Sequence, residues 1–345
     1  MNRRRNLAVA AGAVALGGLL GLRAVRRATH RLDFRDRVVV ITGGSRGLGL
    51  LIARQLADEG AVLVIAARDA DELERVRGDL ADRGARVRLV PCDVGVREEA
   101  ERLVHDTLER EGRIDVLVNN AGIITVGPLE HMAHGDFEQA MAVHFWGPLH
   151  TTLAALPAMR RQGGGRVVNI SSIGGKIGVP HLTPYCASKF ALAGLSDSMR
   201  SELAKDNILV TTVFPGLMRT GSPFNAWFKG NHRDEFTWFT LADSIPVASI
   251  DGRRAASQIV DAVRHGDAEL IVSLTARLAT IANALSPDLV AFVMAGANTA
   301  LLPPPAEDPG TEAHSGWQSL SPWAPSRLTR MTERAARDNN ELPAP

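Results

Sequence analysis

A single tyrosine occurs in the 345 residues, and a lysine follows it four positions later in "TPYCASKFAL". Tyr185 and Lys189 are therefore spaced i, i+4 and share one face of a helix. An isolated phenol titrates near ~10 and shuttles protons poorly at neutral pH. A neighbouring ammonium stabilises the phenolate and lowers that pKa, which gives the pair the chemistry of a general acid/base. Ser172, thirteen residues upstream at the end of "VVNISS", offers a hydroxyl to a substrate carbonyl. Each residue alone is commonplace: a Ser closing a strand, a Tyr opening a helix, a Lys on a helix. What gives them meaning is the segment that precedes them.

That segment is "TGGSRGLG", which places Gly43, Gly47 and Gly49 between a β-branched run and a helical one, with Ser45, Arg46 and Leu48 among them. Glycines at such a turn let a pyrophosphate approach backbone N–H groups at a helix N-terminus. The spacing is G-x-x-x-G-x-G, not the G-x-G-x-x-G dinucleotide fingerprint. An NAD site usually carries a carboxylate near the end of the second strand, for the ribose 2′-hydroxyl. Here "VIAARD" has Ala67 and then Arg68. A guanidinium pairs with a 2′-phosphate bidentately, and Arg46 is placed to reach the same group. NADP(H) is expected ahead of NAD(H), although Asp69 follows at once. Lys189 is long enough to hydrogen-bond a ribose while tuning Tyr185.

The elements that must position these groups are legible from Arg37 on. Apolar runs at "RVVVITG", "AVLVIAA", "VRLVPCDV", "IDVLVNNAG", "GRVVNISS", "ILVTTVFPG" and "AELIVS" alternate with amphipathic helical stretches. One of these is a helical zone from about Phe137 to Arg161. This alternation implies an α/β fold, a Rossmann-type doubly wound parallel sheet of about seven strands with helices on both faces. Ligands of such sheets bind beyond the carboxyl ends of the strands.

Residues from about Arg37 to Ser273 resemble the short-chain dehydrogenase/reductase family, in its compact branch. The matching segments are "TGGSRGLG", "CDV", "NNAG", "NISS", "YCASK" and "PGLMRT", in family order and spacing. The resemblance implies that Asp93 and Val94 meet the adenine and that Asn120, Ala121 and Gly122 line the adenosine ribose. It further implies that Pro215, Gly216 and Thr220 embrace the nicotinamide, and that Ser172, Tyr185 and Lys189 are catalytic. A homo-oligomer is implied as well. One departure stands out: "VHFWG" puts His144 where the family commonly has an Asn that holds a proton-relay water. A histidine can also donate and accept, so His144 is either a relay member or a sign of rearrangement.

The activity expected is NADP(H)-dependent hydride transfer between a carbonyl and an alcohol. The alternatives are a non-catalytic dinucleotide-binding regulator, or an epimerase or dehydratase using the cofactor transiently. "SPFNAWFKGNHRDEFTWFTLADS", about 222–244, is the expected substrate loop. Phe224, Trp227, Phe228, Phe236, Trp238 and Phe239 either line an apolar pocket or anchor the loop to the core or to a membrane, and a lipophilic small-molecule substrate is expected.

The formal charge of +1 hides an asymmetry, since residues 1–37 carry nine Arg against Asp33 and Asp36, leaving a remainder of −6. An acidic remainder argues against nucleic acid, whose binding rests on phosphate neutralisation. Cys92 and Cys186 are too few for a disulfide framework or a zinc site, so no metal is expected. Residues 1–36 form a basic and apolar segment. Its run Leu7 to Leu22 spans about 24 Å as a helix, short of a ~30 Å hydrocarbon core. It reads as a membrane anchor for a cytoplasmic domain, against a signal peptide or a disordered leader. The following arginines oppose translocation. The catalytic domain is expected over 37–302, with Leu274 to Leu302 as two helices closing the core, against part of a substrate lid or a membrane-facing surface, and 303–345 as a Pro-rich, flexible tail.

Overall fold

Runs of Val, Ile and Leu need apolar cover on both faces, and the computed structural model supplies it; the structure describes residue 18 and residues 21–246, 248–308 and 310–342. Its central sheet holds β1 (Val38–Thr42), β2 (Val62–Ala67), β3 (Arg86–Pro91), β4 (Val116–Asn119), β5 (Gly165–Ile170), β6 (Ile208–Phe214) and β7 (Glu269–Ile271). The strand order is β7-β6-β5-β4-β1-β2-β3, and every pairing is parallel. From β1 onward the α-helices in chain order are α1 (Gly47–Asp58), α2 (Ala70–Asp82), α3 (Arg97–Glu111), α4 (His134–Met141), α5 (Gly147–Arg161), α6 (Thr183–Leu203), α7 (His232–Ser244), α8 (Gly252–His265), α9 (Leu274–Leu285), α10 (Pro287–Leu301) and α11 (Arg330–Asp338).

Alternate residues of a strand point to opposite faces, and β1 divides its side chains accordingly. Val39 and Ile41 join a core with α1, α2 and α8, while Val40 joins one with α3, α5 and α6. This is the expected doubly wound sheet. The chain reverses direction across β1, running outward through β2 and β3 and returning to β4 on the other side. A crevice opens at that reversal, beyond the carboxyl ends of β1 and β4.

Four expectations are corrected. The helical zone before β5 is interrupted: α4 passes through a π turn, Ala142–Trp146, before α5 begins. Such turns often mark functional positions, and this one carries the buried His144. The fold also begins earlier than residue 37. Arg27 pairs with Asp267 at 2.7 Å, the Leu32 N–H bonds the Arg264 carbonyl at 2.8 Å, and Phe34 is fully buried. Most of the apolar run 7–22 lies outside the described residues. Among the described residues, no helix is long and apolar enough to cross a membrane.

The helices α9 and α10 do not close the core. Ala276 is the one buried residue described on them, and Leu285 and Phe292 are 81% and 77% exposed. The hairpin follows β7, a three-residue edge strand, so little sheet surface remains to cover it. The final correction concerns the tail. Instead of running free, residues 310–342 pack on the domain. His314–Ser315 pair antiparallel with Trp227–Phe228, Trp317 stacks on Phe224 with centroids 4.8 Å apart, and Ala336 on α11 is fully buried.

Candidate active site

The carboxyl ends of β1 to β6 converge on one cavity of about 1040 Å³. Gly43 leaves β1 at φ +64°, and a Cβ there would sit 2.7 Å from the Ala121 backbone. Only glycine permits that approach. The contact is fixed from the other side, because Asn120 Nδ2 donates to the Gly43 carbonyl at 2.9 Å and to that of Thr42 at 3.1 Å. Gly49 lies beneath the turn, where a Cβ would overlap the Gly43 carbonyl. It alone of the sequence-predicted site residues does not line the cavity; the glycine-turn, adenine-side, nicotinamide-side and catalytic candidates all do.

Ser172 closes β5, and its Oγ accepts the Gly174 N–H at 3.1 Å. Tyr185 and Lys189 rise from the first turns of α6, with the Lys189 ammonium 5.6 Å from the Tyr185 ring centre. Lys189 Nζ donates to the Ile170 carbonyl at 2.8 Å, so the last residue of β5 fixes it. Burial pushes the Lys189 amine down to about 7. Burial pushes the Tyr185 phenol up to about 12, against the pull of a hydrogen bond with Ser172. The phenol is thus in its proton-donating form at neutral pH.

His144 is fully buried. Its Nε2 accepts the Ile123 N–H at 3.1 Å, so the proton sits on Nδ1, which faces Ser188 Oγ at 2.8 Å. Burial first, then the Lys189 charge, hold it well below the usual histidine range. Both nitrogens are committed to protein groups, which leaves none to hold a relay water. Instead the neutral ring stands edge-on to Tyr185 at 5.4 Å. Composition offered no signal for this, since a donor–acceptor ring looks competent until its partners are known.

The arginines differ. Arg68 is exposed and has no ion pair among the described residues. Arg46 is engaged by Glu72 at 3.0 Å and Glu341 at 3.6 Å. Asp69 Oδ1 accepts the Glu72 N–H at 2.9 Å and caps α2, which commits the carboxylate that clouded the cofactor reading. The aromatic loop splits its roles. Phe224, Trp227, Trp238 and Phe239 line the cavity, whereas Phe228 and Phe236 are fully buried anchors.

Sequence reasoning missed the C-terminal strap. The Gly47 N–H donates to the Asn339 carbonyl at 3.0 Å. Asn340 Nδ2 donates to the Ser45 carbonyl at 2.9 Å, and Asn339 Nδ2 to the Thr220 carbonyl at 3.1 Å. The strap thereby joins the glycine turn to the segment after β6. Glu341 lines the cavity beside Gly47 and accepts from Asn225 Nδ2 at 2.7 Å. Burial pushes its carboxyl up to about 7, with Arg46 pulling down. An acid raised in the folded state holds a proton that the unfolded chain has released, so its stabilisation is lost as pH rises toward 7. Glu341→Gln should remove that loss. Its stability relative to the native chain should grow by about 1.4 kcal/mol per pH unit between pH 5 and 7, read from denaturant melts; a pH-independent difference would contradict this.

Comparison with known proteins places the chain in context. The sequence profile of the short chain dehydrogenase family matches residues 37–226. The "Dehydrogenase/reductase SDR family protein 7-like" of Anopheles gambiae is 34% identical over 84% of this chain and 90% of its own. "Dehydrogenase/reductase SDR family member 4" of Rattus norvegicus is 34% identical over 67% of this chain and 84% of its own. A short-chain dehydrogenase of Streptomyces avermitilis superimposes with a TM-score of 0.66 at 29% identity, covering 78% of this chain and all of that one. L-sorbose reductase of Gluconobacter frateurii, solved with NADPH and L-sorbose, gives 0.63 at 27% identity, covering 70% and 97%.

Proposed function

The chain belongs to the short chain dehydrogenase family, and we propose that it is an NADPH-dependent reductase of a lipophilic ketone or aldehyde. The observation that carries this is the convergence of Ser172, Tyr185 and Lys189 on the cavity that the glycine turn opens. The turn suits a dinucleotide: a Cβ at Gly43 would collide with the facing backbone, and α1 directs its N-terminus there. Gly43, Ser45, Gly47 and Leu48 would hold the diphosphate, with Gly49 letting the turn close beneath them. Asp93, Val94 and Asn120 to Gly122 would hold the adenosine, and Pro215, Gly216 and Thr220 the nicotinamide end. NADPH supplies the hydride when bound.

Ser172 would polarise the substrate carbonyl, and Tyr185, protonated as it stands, would donate the proton. Lys189 would contact the ribose and stabilise the phenolate left when Tyr185 gives up its proton. His144 serves as a positioning residue, tying the Gly122–Ile123 segment to α6. The apolar walls from Phe224, Trp238, Phe239 and Met294 support the lipophilic class.

Arg68 lies at the end of the second strand with no ion pair among the described residues, and this supports NADP over NAD. Arg68→Ala should raise the Kd of NADPH about tenfold or more, as loss of a charge-assisted contact does, and that of NADH less than about threefold. Equal weakening of both cofactors, in fluorescence titrations, would refute this role. The reductase reading itself is tested by following NADPH absorbance with a panel of aldehydes, ketones and quinones. Tight NADPH binding without turnover in either direction would favour the regulatory alternative.

A further inference from the structure

Among the described residues, two buried side-chain polar atoms have no hydrogen-bond partner, and both belong to α7: Thr240 Oγ1 and Asp243 Oδ2. They stand three residues apart, on one helix face. Thr240 is fully buried and Asp243 is 4% exposed. Asp243 lines the cavity of the site, among Phe239, Trp238, Ala242 and Phe224. An unpaired polar atom in an apolar wall is costly and rare in folded proteins, so an incompletely satisfied carboxyl on a residue that lines a ligand cavity calls for a polar ligand atom.

We propose that Asp243 is the distal anchor of the substrate, and that it takes a hydroxyl group carried on the chain beyond the reacting carbonyl. The inference rests on the reductase reading and narrows its substrate to hydroxylated, otherwise apolar carbonyl compounds. Asp243 sits on α7, apart from β5 and α6, which carry Ser172, Tyr185 and Lys189, so a ligand meeting both is held at two points. Burial pushes the Asp243 carboxyl up to about 8, against the pull of the Met218 N–H. Glu341 raises it further and Arg219 draws it down, but Arg219 is occupied by the Ser249 carbonyl and hydroxyl, each at 2.8 Å. A neutral carboxyl both donates and accepts, which matches a hydroxyl better than an ammonium. Sites built to bond a hydroxyl reject analogues that lack it, because their own polar group is then left unpaired.

The test uses methyl ketones CH3–CO–(CH2)n–OH, with n from three to seven, against isosteres ending in CH3. In the native chain the best hydroxyketone should exceed its isostere in kcat/KM by tenfold or more, and the optimal n reports the span from Tyr185. Asp243→Leu should abolish that preference while the isosteres and the Kd of NADPH change less than threefold. Asp243→Asn, which keeps a donor and an acceptor, should retain part of it. No hydroxyl preference at any n, or one unchanged in Asp243→Leu, would overturn the proposal. So would parallel loss on both ketone series together with NADPH affinity in both variants. Binding of the same ketones, read by tryptophan quenching from Trp227, Trp238 and Trp317, separates the two readings. A hydroxyl preference in binding without any turnover keeps this subsite and overturns the reductase.

Discussion

Tyr185→Phe should lower carbonyl reduction by about three orders of magnitude or more, within the range of a lost general acid, while the Kd of NADPH moves less than about threefold. The substitution removes one oxygen and leaves the ring, so its edge contact with His144 at 5.4 Å persists. The hydrogen bond with Ser172 is lost, yet Ser172 Oγ keeps the Gly174 N–H, so the end of β5 stays in place. Kinetics should show kcat and kcat/KM falling together, the pattern of an interaction made in the transition state. A variant retaining a tenth of the activity would contradict the assignment of the proton to Tyr185.

Lys189→Met should cost about two orders of magnitude in kcat and also change the pH profile. In the oxidative direction a phenolate is required, and burial holds the phenol up at about 12. The Lys189 ammonium is the cation beside that ring, and a nearby positive charge favours the phenolate. Because that help lasts only while the amine is charged, below about 7, loss of Lys189 should remove alcohol oxidation chiefly at and below neutral pH and leave the alkaline rise in place. The amine is itself depressed to about 7 by burial. A buried group lowered from the usual ~10.4 destabilises the fold while it is charged. Lys189→Met should therefore melt higher below pH 7, and this separates loss of catalysis from loss of folding. An unchanged oxidative profile would show that Lys189 acts on the ribose alone.

The sheet and the polar site were legible because both depend on short-range sequence chemistry. β1 and β2 are buried strands with no polar interruption, and the glycine turn and the Tyr–Lys spacing are local. What escaped reading depends on contacts across nearly the whole chain. Asn340 meets Ser45 from 295 positions away, and a Pro-rich connector gives no hint that the segment beyond it docks. The α9–α10 hairpin misled in the opposite sense. Its apolar composition reads as core, but composition does not report whether a surface remains to be covered, and β7 ends the sheet. The role of His144 stayed open for a third reason. A side chain's capacity to donate and accept is visible in sequence, whereas the Ile123 N–H and Ser188 hydroxyl that consume it at 3.1 and 2.8 Å appear only once α6 packs against the π turn. The unpaired oxygen of Asp243 belongs with it, since an Asp on a helix gives no sign of burial until α7 lies over the cavity.

The central claim is that this cavity transfers hydride from NADPH to a carbonyl carbon. The most direct measurement is incubation of the full chain with NADPH deuterated at the transferring position of C4, followed by mass spectrometry of the alcohols formed from the ketone panel. One deuterium on the carbinol carbon, absent with Tyr185→Phe, is the expected result. Tight NADPH binding with no deuterium in any product, or deuterium transfer that survives in Tyr185→Phe, would contradict the account.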